Sequence, residues 1–185
     1  GTSALILNSS GGNNVAVGND AAATVATVSN VTALGYAALN LNTVDYSVAV
    51  GSRALALNAA GAKNTAVGTT ALRYNTSGNY NTAVGYEALN GASAAGDTSD
   101  NTAVGYLALR ANDAASNTAV GRSALVLNTT GTHNTAMGSY ALAACVTSNE
   151  NTAIGYNCMP AVTSPQNTAL GSGAGSGAVG ADNNC

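Results

Sequence analysis

The chain has 185 residues, 46% of them hydrophobic by type and only 7% charged, with a formal net charge of −3. Soluble globular domains average roughly 25% charged residues. Ala, Asn and Gly together supply close to half of the sequence, Trp and Phe are absent, and His occurs once. These figures exclude a conventional core of large side chains, a basic nucleic-acid binder, and the highly charged, apolar-poor signature of a disordered chain.

Read from the N-terminus, the sequence repeats. The string Asn-Thr-Ala-(Val/Ile/Leu/Met)-Gly occurs at residues 64–68, 81–85, 101–105, 117–121, 134–138, 151–155 and 167–171, with degenerate copies at 14–18, 31–35 and 47–51. Its closing glycines are Gly18, Gly35, Gly51, Gly68, Gly85, Gly105, Gly121, Gly138, Gly155 and Gly171, and Gly1 opens the series. Successive markers lie 16 or 17 positions apart, except between Gly85 and Gly105, where an Ala/Ser/Gly-rich insert near 91–100 lengthens the unit. Such periodicity defines a repeat architecture.

Within each unit two short runs alternate in character. The first is Thr-Ala-Val, in which Thr and Val share one face and Ala takes the other. The second is Ala-Leu-x-Leu-Asn, as at 124–128, in which the Leu residues are expected to share a face. Gly and Asn, which tolerate positive φ, separate the runs. No helix of ten residues fits between them. Two short strands and two turns per unit predict an all-β parallel solenoid of about ten to eleven 17-residue coils spanning residues 1–180, with 181–185 as a tail. Stacking at about 4.8 Å per coil aligns equal residues into columns. The marker glycines serve as turn residues. Asn64, Asn81, Asn101, Asn117, Asn134 and Asn151 form a ladder beside Thr65, Thr82, Thr102, Thr118, Thr135 and Thr152, with amide-to-amide bonds as in cross-β stacks. The Tyr residues after the markers (Tyr36, Tyr86, Tyr106 and Tyr156) either cap the thin core, the preferred reading, or stack on the surface as a stripe. The Ala/Gly strip of the sheet is expected to be the flat exposed face.

A coil this small buries little apolar surface, at about 25 cal/mol per Å², so self-association is expected to complete the core. The chain opens in mid-unit and closes on a shortened one, which suggests a piece of a longer fibre or end-to-end joining. No apolar run reaches the 18 residues of a membrane span. Nothing recurs that would make a catalytic centre. His133 stands alone in a turn, the eight acids share no column, and the calcium-binding nonapeptide pattern is missing. The sequence therefore predicts no enzyme, no cofactor and no metal. Cys145 and Cys158 fall four register positions apart in neighbouring coils, about 13 Å along the chain direction, and are expected to be unbonded. Asn8, Asn30, Asn75 and Asn128 head Asn-x-Ser/Thr triplets, which are glycosylation acceptors in a glycosylating source.

The repeat resembles the head domain of YadA-like trimeric autotransporter adhesins, on Tyr46-Ser47-Val48-Ala49-Val50-Gly51 and Asn151-Thr152-Ala153-Ile154-Gly155. It is similar also to repeats in phage and viral tail-fibre proteins. The resemblance covers about residues 1–180 and implies a left-handed β-roll, three chains per fibre, and attachment to a surface or host receptor. That would place the protein outside the cell, on a cell or virion surface, with other copies of itself and a surface receptor as partners. Unit length departs from the adhesin pattern, whose units are slightly shorter. A competing expectation is a monomeric solenoid that binds ice or another regular surface through its Thr column, which Thr168 extends.

Overall fold

A computed structural model describes residues 1–91 and 98–177. The central part of the insert and the tail therefore lie outside the described residues. Ten three-residue strands follow the repeat: β1 (Val15–Val17), β2 (Thr32–Leu34), β3 (Val48–Val50), β4 (Thr65–Val67), β5 (Thr82–Val84), β6 (Thr102–Val104), β7 (Thr118–Val120), β8 (Thr135–Met137), β9 (Thr152–Ile154) and β10 (Thr168–Leu170). They form one parallel sheet in strict chain order. Each coil is thus the crossover between neighbouring strands, and the molecule is a parallel β-solenoid. At about 4.8 Å per step, β1 and β10 stand about 43 Å apart.

The register is that of the repeat. Thr65 pairs with Thr82, Ala66 with Ala83 and Val67 with Val84. Three residues of extra chain between β5 and β6 leave the pairing unchanged, with Ala83 still opposite Ala103. The marker glycines superpose as well. Each adopts φ between 128° and 138°, and a Cβ on Gly68 would collide with the carbonyl of Gly85. Glycine is required there twice over, by the backbone angle and by the neighbouring coil.

One expectation about the coil is corrected. The Ala-Leu-x-Leu-Asn run is a bend, so each coil holds one strand and not two. The residues two and four after each marker carry positive φ, as at Arg53 (56°) and Leu55 (48°), or Glu87 (51°) and Leu89 (47°). Extended backbone has negative φ, so this run cannot be a strand. It nevertheless pairs from coil to coil. The Leu55 N–H donates to the Ala71 carbonyl and the Leu72 N–H to the Ala88 carbonyl, both at 3.0 Å, while Arg53 donates backwards to Tyr36 at 2.7 Å. The bend therefore leaves few backbone groups unpaired. It also splits the two leucines. Leu125 is fully buried, whereas Leu127 lies 49% exposed.

The interior is narrow and built from small side chains. The strand alanines from Ala33 to Ala153 are all fully buried, as are the bend alanines from Ala38 to Ala141. One large residue fills the remainder of most coils, namely Leu39, Leu55, Leu72, Leu89, Leu109, Leu125, Leu142 and then Met159, with Val25, Val28, Val31 and Val162 added toward the two ends. The exposed face of the sheet is consequently the opposite of the one expected. Ala points in, and Thr and Val point out. The cause is geometric. A 17-residue lap closes too tightly to hold Val on the sheet side together with Leu on the bend side.

Two buried asparagine columns complete the core. In the first, which ends each turn before a strand, the backbone N–H of Asn81 donates to Oδ1 of Asn64 at 2.9 Å, and the same bond recurs from Asn101 to Asn81, Asn117 to Asn101, Asn134 to Asn117 and Asn151 to Asn134. The side-chain amides of this column reach turn carbonyls, as Asn64 does to Gly78 at 2.7 Å. These bonds run mainly from side chain to backbone, and not amide to amide as expected. The second column does link amide to amide. Asn58 donates to Asn42 and Asn75 to Asn58 at 2.7 Å, and Asn128 donates to Asn112 at 2.6 Å. Buried amides without partners would cost several kcal/mol per coil, so these ladders are what permits a polar core.

Candidate functional surface

The marker glycines are half-buried corner residues without side chains and the Asn column is buried, so what the molecule can offer lies on its outer columns. Along the sheet, the half-buried residues Thr65, Thr82, Thr102, Thr118, Thr135 and Thr152 stand in register. Beside them runs an aliphatic column. Val17, Leu34, Val67, Val84, Met137, Ile154 and Leu170 are 36% to 76% exposed, while Val50, Val104 and Val120 are half-buried. Large apolar side chains repeated on one face form a contiguous patch, which is the mark of an interaction surface.

A second stripe follows the marker glycines around the corner. Tyr36, Tyr86, Tyr106 and Tyr156 are 46% to 60% exposed, which corrects the preferred reading of packing on the core and agrees with the alternative of a surface stripe. The interior has no room for a ring, so the rings use one another. Tyr86 and Tyr106 stack with centroids 5.5 Å apart. Arg122 lies 5.8 Å from the Tyr106 ring centre and 5.5 Å from that of Tyr140, and Tyr140 meets Tyr156 edge-on at 6.5 Å. Five consecutive coils are joined in this way by aromatic and cation–π contacts. The carboxylate of Glu87, hydrogen-bonded to the Tyr86 phenol, raises that phenol's pKa above its ordinary value.

Chemistry-bearing residues do not converge. Among the described residues no group of three His, Cys, Asp or Glu side chains could hold a metal, and His133 is exposed on a turn. Two pairs of acids do share register positions, contrary to expectation: Asp20 with Glu87, and Asp100 with Glu150. They stand at least three coils apart, about 14 Å or more, too far to act as a pair. Cys145 and Cys158 are free and buried, as their register requires. Burial pushes the Cys145 thiol up to about 11, against a hydrogen bond to Ser148 that pulls it down. Cys158 is raised by burial too. Such thiols are unreactive. Of the glycosylation triplets, Asn75 and Asn128 lie within the buried amide ladder, where no glycan fits. No helix of the described residues is long and apolar enough to cross a membrane.

No family model, no curated protein and no solved structure matches the chain. The reading of function therefore stands on the surface itself.

Proposed function

We propose that this protein is a non-enzymatic structural module of an attachment fibre, in which three copies pack side by side through the outward face of the sheet. The observation that carries this reading is the exposed aliphatic column from Val17 to Leu170, set on a rod whose own interior is mostly alanine with one large side chain in most coils. Packing these columns around a common axis buries the apolar surface that a single coil leaves in water. The outer columns, including the tyrosine stripe, then face the surroundings and carry contact with a cell-surface or host receptor. Three chains and an extracellular position on a cell or a virion follow from the adhesin and tail-fibre resemblance.

Sedimentation equilibrium on the purified chain tests the assembly. The expected mass is three times the 17.8 kDa of one chain. Val84→Lys and Ile154→Lys, which place charges in the proposed seam, should release folded monomers with unchanged circular dichroism. A wild-type chain that stays monomeric at high concentration overturns the reading.

One observation favours a second reading. The Thr column points outward and repeats in register on a sheet, so a monomer could meet ice or another ordered surface with it. Thermal hysteresis that disappears in a Thr82→Lys/Thr118→Lys variant would support this alternative, and its absence in the wild type ends it.

A further inference from the structure

The corner that follows each strand carries a pattern of its own. One or two residues after the markers, the coils leaving β1, β2 and β3 present Asp20, Tyr36 and Arg53, and those leaving β5, β6 and β7 present Glu87, Tyr106 and Arg122. The coil between them, after β4, presents Thr69 and Thr70. An acid–tyrosine–arginine triplet thus occurs twice, four coils apart, in a chain that is only 7% charged. The acid and the arginine of one triplet stand two coils apart, about 10 Å, too far to pair with each other.

Both triplets are held alike. Arg53 lies 5.3 Å from the Tyr36 ring centre, and Arg122 lies 5.8 Å from that of Tyr106. A ring steadies each guanidinium without using its N–H fork, which is shaped for a carboxylate. Both arginines and both tyrosines are exposed. On the acidic side, Asp20 Oδ2 accepts from Asn19 Nδ2 at 2.7 Å and Glu87 Oε2 from Arg110 Nε at 2.8 Å, which fixes both carboxylates at the corner.

The order of these groups is self-complementary. Laid against its own reverse, the rim sets every acid on an arginine, every triplet tyrosine on a tyrosine, and the threonine coil on itself. Two dyads let a rim meet its own copy with the same residues on both sides. A dyad along the rod sets Asp20 on Asp20 and Arg53 on Arg53, and like charges repel. A dyad across the rod, through the coil of Thr69 and Thr70, sets Asp20 against Arg122, Tyr36 against Tyr106 and Arg53 against Glu87, each contact made twice. Charge complementarity selects the second.

We infer that this rim docks a second copy of the chain, antiparallel, about a two-fold axis at Thr69 and Thr70. The matched stretch covers six coil spacings, about 29 Å. A strip one or two side chains wide falls well short of the roughly 800 Å² per partner of a stable complex. Single chains therefore pair weakly, and the contact gains strength where several rims are carried on one fibre. The inference does not rest on the fibre reading, because the rim lies outside the sheet face. In a fibre it would tie one shaft to another side by side.

The test is disulfide trapping of the full chain. Thr69→Cys places a thiol at the axis, where it meets its own copy. Ser52→Cys, one coil away, meets its own copy two coils off, about 10 Å, beyond the about 7 Å between Cα atoms that a disulfide spans. Both carry Cys185→Ser, to remove the tail thiol, and Val84→Lys, to keep the sheet seam open. With each rate corrected for the thiol's reaction with a small disulfide, Thr69→Cys should form linked dimers at least about tenfold faster than Ser52→Cys. Adding Asp20→Arg or Arg122→Asp should slow trapping at least about fivefold, and adding both should restore it to within about twofold. That restoration covers the case in which a single reversal fails to fold. Equal rates for the two cysteine variants, or no restoration by the paired reversal, overturn the inference. A wild type without trimers whose trap still closes overturns the fibre reading alone, and a trimer whose trap stays open overturns this inference alone.

Discussion

The strand Thr82–Val84 and the bend that begins two residues later repeat with equal fidelity and hold their coils together in different ways. In the strand the backbone is extended and every residue meets its equivalent in the next coil. In the bend Glu87 and Leu89 sit at φ of 51° and 47°, a conformation that costs a non-glycine residue roughly 1–2 kcal/mol. The strand contributes only a small Ala to the interior. The bend contributes Ala88 and Leu89, both buried. Regularity in the sheet thus comes from backbone pairing, whereas the bend keeps its two strained angles per coil because a buried Leu, worth about 1.5–3 kcal/mol, and backbone bonds to the neighbouring coils together offset them.

That contrast breaks most sharply at the corner where the two regions meet. Gly85→Ala should be the most damaging single change. Gly85 has φ 136°, and a Cβ there would strike the carbonyl of Gly105. The strain and the clash together should remove at least about 3 kcal/mol, seen as a large fall in the urea midpoint or as failure to fold. A stable, soluble variant would mean that the coils are not superposed at their glycines.

The next effect separates bend from strand directly. Leu125→Ala empties a buried site and should cost about 2–5 kcal/mol. Leu127→Ala, two residues on and half-exposed, should cost less than about 1 kcal/mol. Equal losses in chemical unfolding would restore the two-strand coil, in which both leucines face inward.

Much of this was legible in the amino acids. Glycines at steps of 16 and 17 define the lap, and Thr-Ala-Val between Asn and Gly defines the strand, because nothing longer fits. The bend was not legible, since Ala-Leu-x-Leu alternates with the period of a strand, and backbone that alternates in the sign of φ leaves the same trace. The inward side of the sheet was obscured for a different reason. Val is more hydrophobic than Ala, so hydropathy turns Val inward. The available volume decides otherwise, and volume belongs to the closed coil and not to any single unit. Tyr86 and Tyr106 follow from the same limit, because rings excluded from a narrow interior stack outside it.

A third prediction concerns the second amide column, where Cys145 replaces Asn. Burial raises its thiol from 9.0 to about 11. An acid raised in the folded state remains protonated there while the unfolded chain ionises, so stability is intact below pH 9 and is lost as pH rises toward 11. The loss should reach about 2–3 kcal/mol. It is read as the difference between the wild type and Cys145→Val, since Val25 and Val162 already occupy this column buried. Identical pH profiles would mean that Cys145 reaches solvent.

The smallest effect tests the column itself. Asn128 Oδ1 is buried without a partner, because the residue that should donate to it from the next coil is a thiol whose hydrogen goes to the Ser148 carbonyl at 3.6 Å. Cys145→Asn supplies an amide at the position where Asn58 and Asn75 already donate to their neighbours. One buried hydrogen bond is gained, about 0.5–1.5 kcal/mol. The unpaired acceptor does not vanish. It moves up one coil, to face Val162. A ladder of one-way donors that ends in an apolar residue always leaves one carbonyl over, and shifting the end changes only where it lies. The net gain at pH 7 should therefore stay at or below about 1 kcal/mol in urea unfolding, while the alkaline loss of the wild type disappears. A destabilisation beyond about 2 kcal/mol would show that the amide does not fit and that the column stops at Asn128.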